Sequence, residues 1–117
     1  MRSIILSFCL VLIFGLPTAS QVSVVRHTEK TLPVSNEWIF RFKSGVNDNC
    51  GISPEQRIRA CVNFKEKIVY FNQDFLKYDR SYLRFAKTVI HEIGHIYGMR
   101  HSTKHNAWIE DQFELIY

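Results

Sequence analysis

The stretch HEIGHIYGMRH, residues 91–101, constrains the fold more than any other part of the sequence, because it defines both a secondary-structure element and the end of that element. Apolar side chains recur at intervals of three and four over residues 85–97, which is typical of an amphipathic helix packed on a sheet. Asp79 or Ser81 is a suitable N-cap for this helix. Gly98 is a natural stop, because glycine readily adopts the left-handed conformation that ends helices.

The same stretch carries the residues of a metal site. His91 and His95 are four residues apart and share one helix face, and the stop at Gly98 lets the chain turn back so that His101 reaches the same point. Three neutral imidazoles leave one coordination position open for water, the arrangement of a catalytic zinc site. Glu92 would then act as general base toward that water and as proton donor to the leaving amine. The sequence therefore predicts one catalytic Zn²⁺ ion.

With these residues the chain resembles the metzincin clan of zinc endopeptidases, and among them the matrixins. Both share the pattern His-Glu-x-x-His-x-x-Gly-x-x-His, and the serine that matrixins prefer next is Ser102 here. The resemblance implies a reduced zincin domain in which the three histidines bind zinc and Glu92 is the catalytic acid/base. Residues 68–72 are similar to the edge strand that pairs with extended substrate in that clan. The convincing match covers roughly residues 67–109.

The chain departs from the matrixin pattern in two ways. Matrixins have a methionine in a tight turn below the zinc, and Ile109 stands at that position here, where it can still form an apolar floor. The chain is also shorter than matrixin catalytic domains, so we expect an early helix and the calcium and structural-zinc loops to be missing. The short stretch after His101 predicts a shallow cleft with loose specificity, or a cleft that a partner completes.

The remaining patterns predict an α+β fold, with a small twisted β-sheet packed on one long active-site helix. Four segments rich in β-branched and aromatic residues predict strands, the last two paired as a hairpin: residues 22–25, 37–42, 60–64 and 67–72. Residues 44–54 are dense in turn formers and predict a long loop. Residues 108–115 have weaker signals that favour a short helix.

The N-terminus predicts a secretory signal peptide. The run 3–16 is almost wholly apolar, and the residues that follow it are of the small kind that a signal peptidase accepts. A membrane anchor is the alternative, but the run is shorter than the roughly 20 residues that span a bilayer. We therefore assign residues 1–20, including Cys9, to the signal peptide and residues 21–117 to a single domain of a secreted protein, extracellular or periplasmic.

Cys50 and Cys61 are the cysteines outside that signal segment. In an oxidising compartment a disulfide between them is the simplest interpretation, with free buried thiols or a metal-binding thiolate as alternatives. The formal net charge of +4 comes from scattered lysines and arginines, so the sequence gives no indication of nucleic-acid binding.

Together these features predict a secreted zinc endopeptidase that acts on protein or peptide substrates and does not insert into membranes once the signal is removed. The alternative is a secreted zinc-binding or protein-binding module, a degenerate relative without turnover. The intact Glu92 favours the enzyme, because zinc ligation alone does not need it. His105 is interpreted as a surface histidine, with competition for the metal as the alternative. Arg84 and Thr88 share the helix side of His91, and they either support the site or form an ordinary solvated face.

Overall fold

The structure, a computed structural model, describes residues 4–5, 17–77 and 81–117. Its elements are, in chain order, β1 (Ile4–Ile5), α1 (Ala19–Thr31), β2 (Ile39–Lys43), a 3-10 turn (Asn47–Cys50), β3 (Ala60–Asn63), β4 (Ile68–Asn72), α2 (Gln73–Leu76), α3 (Tyr82–Ile96) and α4 (Thr103–Ile116). This mixture confirms the predicted α+β class. Most of the predicted signal peptide, Cys9 and Asp79 lie outside the described residues. Among the described helices, none is both long and apolar enough to cross a bilayer.

The sheet has the strand order β1-β2-β4-β3, in which β3 is antiparallel and the other three strands are parallel to one another. β3 and β4 form the predicted hairpin, with Val62 opposite Val69. The prediction that residues 68–72 form an edge strand is wrong, because β4 lies between β2 and β3. All residues of β4 are buried, as expected for a strand with neighbours on both sides. Within the described sheet, the edge strand on this side is β3.

The main apolar core lies between the sheet and the helices α1, α3 and α4. Alternate side chains of the two central strands enter it: Phe40, Phe42, Val69 and Phe71. One face of α3 covers them with five buried residues: Phe85, Ala86, Val89, Ile90 and Ile93. The spacing of those five residues confirms the helix period predicted from the sequence, and their burial fixes which way the remaining face of α3 points.

The opposite face of the sheet is covered by the long loop that precedes β3. Val46 of this loop packs on Ile68 and Tyr70 of β4. Cys50 of the loop forms a disulfide with Cys61 of β3, as predicted. A cross-link that closes so short a loop contributes roughly 3 kcal/mol to stability, which is valuable for a small core.

The segment around residues 22–25 forms the helix α1, and the prediction of a strand there is wrong. Thr18 and Gln21 form a reciprocal capping box that starts the helix, with the Thr18 amide donating to Gln21 Oε1 at 2.9 Å and the Gln21 amide donating to Thr18 Oγ1 at 3.1 Å. Val24, Val25 and Thr28 then form one buried helix face. This packing outweighs the strand propensity of valine. The early helix expected to be missing is therefore present, and the predicted boundary at residue 20 falls inside it.

α3 and α4 are joined by a short reversal, which positions the candidate site. Ser81 caps α3, as predicted, and Gly98 adopts a φ of +97° just after its end. The Gly98 amide donates to the His95 carbonyl, and the Met99 amide donates to the Gly94 carbonyl at 2.9 Å. Ser102 then caps α4, which is longer than the short helix predicted for residues 108–115.

Candidate metal centre

The structure brings the three predicted metal ligands together. His91 and His95 project from successive turns of α3, and the reversal after Gly98 carries His101 to the same point. The three Nε2 atoms form a nearly equilateral triangle, with separations of 3.1 Å between His91 and His101, 3.0 Å between His91 and His95, and 3.0 Å between His95 and His101. Among the described residues, this is the one group of three or more His, Cys, Asp or Glu side chains that could hold a metal ion.

A hydrogen bond fixes the tautomer of His95. Its Nδ1 lies 2.7 Å from the backbone carbonyl of Met99. A carbonyl can only accept, so Nδ1 carries the proton and Nε2 presents a lone pair to the centre of the triangle. Such a bond from the second ring nitrogen is typical of metal-ligating histidines. The turn at Gly98 thus supplies both the third histidine and the acceptor that orients the second.

The surroundings favour the neutral form of His91 and His95. Burial is the largest cause that lowers the pKa of His91 to about 4, and the neighbouring histidines contribute in the same direction. Burial also lowers the pKa of His95. Neutral imidazole is the form that binds a metal ion. A tetrahedral ion at about 2.0–2.1 Å from each nitrogen requires a triangle with sides of roughly 3.3 Å, so the observed side chains fit a metal ion with a small adjustment.

Glu92 lies beside the triangle and outside it. Its Oε2 atom is 3.9 Å from Nε2 of His91, and the residue is only 5% exposed. Burial raises the pKa of this carboxyl to about 8. The side chain borders a depression next to the histidines, so a carboxyl group that can exchange a proton stands within reach of a molecule bound there.

His105 is buried beneath the cluster, and its interpretation as a surface residue is wrong. It is 1% exposed, and its ring centroid lies 4.6 Å from that of His91 and 4.8 Å from that of His95. Neither ring nitrogen has a hydrogen bond of ordinary geometry within the described chain. Burial lowers the pKa of His105 and the adjacent His95 lowers it further, against a smaller opposite effect of the His91 backbone. His105 is therefore a neutral packing residue.

The close approach of α4 to α3 explains why His105 is buried. A Cβ atom on Gly94 would lie 2.5 Å from Nε2 of His105 and 2.9 Å from the Trp108 ring, so only glycine fits there. The signal in the sequence is this glycine in the middle of a strong helix pattern, which marks a close neighbour. Ile109, one turn after His105, is 7% exposed and borders the depression beside Glu92, whereas the ring that packs against His91 and His95 is that of His105.

Two depressions flank the histidine triangle. The first, of about 410 Å³, touches His91, Glu92 and His101, and the second, of about 400 Å³, touches His95 and His101. Ala60, at the start of β3, borders the first, and Phe64, just after its end, borders the second. One depression therefore lies near each end of the edge strand β3, and His101 borders both. Arg84 and Thr88, whose role the sequence leaves open, both line the first depression.

Comparison of the chain with known protein families, with curated proteins and with solved structures finds no match. The function is therefore inferred from the residues and geometry of this site.

Proposed function

We propose that the protein is a secreted zinc-dependent endopeptidase of metzincin type. The observation that carries the proposal is the convergence of three histidine Nε2 atoms within 3.0–3.1 Å of one another, with a buried carboxyl beside them. A structural zinc site needs a fourth protein ligand, and no fourth His, Cys, Asp or Glu joins this group in the described chain. Three ligands beside a depression are the pattern of a catalytic site.

His91, His95 and His101 would hold the zinc ion. When bound, zinc acidifies water and polarises the carbonyl of the bond to be cleaved. The protein's own contribution is to favour the neutral form of His91 and His95 through burial, and to orient His95 through its hydrogen bond to the Met99 carbonyl. The side chains are in this arrangement before substrate binds, so no free energy is needed to reorganise them during the reaction.

Glu92 is proposed to move the proton. Its carboxylate accepts a proton from the attacking water, and the resulting carboxylic acid donates that proton to the nitrogen of the departing amine. The buried surroundings that raise its pKa stabilise the protonated form, so Glu92 can hold the proton between the two steps. Its Oε2 lies 3.9 Å from Nε2 of His91, and Glu92 is not part of the group that could hold the metal ion, which supports a role as proton carrier and not as ligand.

An extended peptide is the substrate that the two depressions accommodate. Within the described sheet no strand pairs with the outer edge of β3, and one depression lies near each end of this strand. A peptide added to that edge would form main-chain hydrogen bonds with β3 and place one side chain in each depression. Because a depression lies on each side of the histidines, the site favours cleavage within a chain over removal of a terminal residue.

Secretion is part of the proposal. The Cys50–Cys61 disulfide is typical of proteins in oxidising compartments, and the apolar run at residues 3–16 has the composition of a signal peptide. Mass spectrometry of protein recovered from the medium of an expressing cell tests this point. Protein that stays inside the cell with its N-terminus uncut would contradict it.

The deciding experiment compares wild type with Glu92→Gln and His95→Ala. Zinc content is measured by elemental analysis and cleavage by the release of fluorescent fragments from unfolded casein. We expect zinc in wild type and in Glu92→Gln, cleavage by wild type alone, and neither property in His95→Ala. Glutamine is the matched replacement, because it keeps the shape of the side chain and cannot carry the proton.

Bound zinc in both wild type and Glu92→Gln, without cleavage by either, would reject the peptidase. That result would favour the secreted zinc-binding module instead. Absence of zinc from the wild type would reject both.

A further inference from the structure

We propose that the depression beside Glu92 is a specificity pocket for an acidic side chain, that of the residue directly after the cleaved bond. This inference rests on the proposed peptidase function and adds the substrate class to it. We call the depression the basic pocket, after the cationic residues Arg59, Arg84 and Lys87 in its wall. Ile58, Ala60 and Ile109 form the apolar part of its wall, and His91, Glu92 and His101 border it at the metal centre.

The position of Glu92 assigns the pocket to one side of the scissile bond. The general acid must reach the nitrogen of the departing amine, and that nitrogen belongs to the residue after the cut. Glu92 borders the basic pocket and does not border the second depression. The side chain of the residue after the cut therefore enters the basic pocket, while the residues before the cut lie toward the second depression.

Arg84 stands farther from the histidines than the other cation of α3, Lys87. Arg84 precedes His91 by seven residues of α3, which is about two turns or roughly 10 Å along the helix. Its side chain is exposed, and it has no carboxylate partner within residues 17–77 and 81–117. Lys87 is half-buried and forms an ion pair of 3.0 Å with Glu110 of α4. Arg59 has a partner of its own and Lys87 is in part compensated, so Arg84 is the cation available to a ligand.

This distribution of charge favours a long acidic side chain. The methylene groups of a glutamate would pack on Ile109 and Ala60, and its carboxylate would reach toward the guanidinium of Arg84, which can bind carboxylates with two parallel hydrogen bonds. Aspartate is shorter and would bind less well. A lysine side chain would be repelled by the positive charge of Arg84. A purely aliphatic side chain would leave Arg84 solvated and without a new partner.

Cleavage of matched peptides tests the proposal. The probes are Ac-Ala-Ala-Ala-Xaa-Ala-Ala-amide with glutamate, glutamine or lysine at Xaa, and mass spectrometry locates the cut. We expect cleavage before Xaa, and a kcat/KM for the glutamate peptide about tenfold above that for glutamine, with lysine lowest. Arg84→Gln should reduce the ratio of glutamate to glutamine to below about twofold. Arg26→Gln, which removes an exposed arginine of α1, is the control of equal charge and should keep the ratio.

A second variant moves the ratio in the opposite direction. Glu110→Gln removes the partner of Lys87, so the pocket becomes more positive and the preference for glutamate should rise about twofold. Unchanged thermal melting of Arg84→Gln and Glu110→Gln checks that both variants fold. Equal rates for the glutamate and glutamine peptides, or a preference that survives Arg84→Gln, would overturn the proposal.

Binding separates this inference from the peptidase itself. Calorimetry with the product-like peptides Glu-Ala-Ala-amide and Gln-Ala-Ala-amide needs no turnover and should show tighter binding of the former to zinc-loaded wild type, but not to Arg84→Gln. If wild type cleaves peptides without preferring acidic residues, the pocket inference fails and the peptidase stands. If it cleaves nothing yet binds the acidic peptide through Arg84, the peptidase fails and an acidic-peptide site remains.

Discussion

The histidine cluster has an outer side, formed by His91, His95 and His101, and an inner side, formed by His105. The three outer imidazoles point their Nε2 atoms at one place. Neither ring nitrogen of His105 has a hydrogen bond of ordinary geometry within the described chain. Both sides use the same amino acid within a stretch of 15 residues, 91–105. On the outer side a depression gives access to the ring nitrogens, while on the inner side His105 is sealed by α4. The role of a histidine here is therefore decided by which groups orient its ring.

The orienting groups differ between the two sides. His95 is held by a hydrogen bond from Nδ1 to a backbone carbonyl, which leaves Nε2 free to bind a metal ion. His105 is held by shape, because its ring fills the space left by Gly94 next to Trp108. A hydrogen bond fixes the direction of the lone pair on the other ring nitrogen, whereas packing does not. His95 is therefore suited to bind a metal ion, and His105 is suited to support the ligands by packing.

Removal of one outer histidine should have the largest effect. Zinc binding to four protein ligands contributes about 10–16 kcal/mol in small domains, so His95→Ala should weaken zinc binding at least about a hundredfold. The matched inner variant, His105→Leu, should change zinc affinity by less than about tenfold, because it alters the packing under the ligands and no ligand. Competition with a chromophoric chelator measures both affinities. Equal loss of zinc in the two variants would show that the four histidines act as one site.

Overpacking of the inner side should have the next largest effect. Gly94→Ala places a Cβ atom 2.5 Å from Nε2 of His105, so we expect the free energy of unfolding to fall by about 1–3 kcal/mol. His105→Ala creates space at the same contact, and the double variant should therefore be more stable than the sum of the two single changes predicts. Urea denaturation of the four proteins measures this coupling. Strict additivity would show that the contact between α3 and α4 relaxes without cost.

The smallest effect concerns the carboxyl at the boundary between the two sides. With zinc removed by a chelator, the folded pKa of Glu92 near 8 lies above its unfolded value of 4.5, so the unfolded state loses its proton first as pH rises. Wild-type stability should therefore decline between about pH 4.5 and 8 relative to Glu92→Gln, which does not titrate there. We expect Glu92→Gln to be more stable at pH 8 by about 1 kcal/mol or more, and the difference to shrink by pH 5.

Thermal melting at these two pH values checks this prediction. A difference of about 1 kcal/mol corresponds to roughly 4–8 °C in Tm for a domain of this size. A difference that is the same at both pH values would mean that Glu92 titrates normally and is well solvated in the folded protein.

Local patterns predicted α3 well, since its apolar period, the Ser81 cap and the Gly98 stop agree with one another. The hairpin and the disulfide were also predictable, because each depends on residues close in sequence. α1 was not predictable from propensity, because valines at residues 22–25 favour strands and only packing against the core makes them helical.

The parts of the site that depend on contacts between distant segments could not be predicted. Strand order is such a property, so β4 resembled an edge strand although β3 is the edge. The burial of His105 depends on how closely α4 approaches α3, and the length of α4 was underestimated because its first turn has weak local signals. The three metal-site histidines were predictable because helix geometry and one turn place all of them.

Both cross-links of this chain, the disulfide and the proposed metal site, join residues that are close in sequence. Cys50 and Cys61 are 11 residues apart, and the three histidines span residues 91–101. Neither link connects the first helix to the last. Hydrogen bonds make that connection: His27 Nε2 lies 3.1 Å from the Ile116 carbonyl, and the Tyr117 hydroxyl lies 2.7 Å from Thr28 Oγ1. The main core contains none of the three histidines, so we expect zinc to be loaded onto a chain that has already folded, unlike the zinc fingers that fold only around their metal.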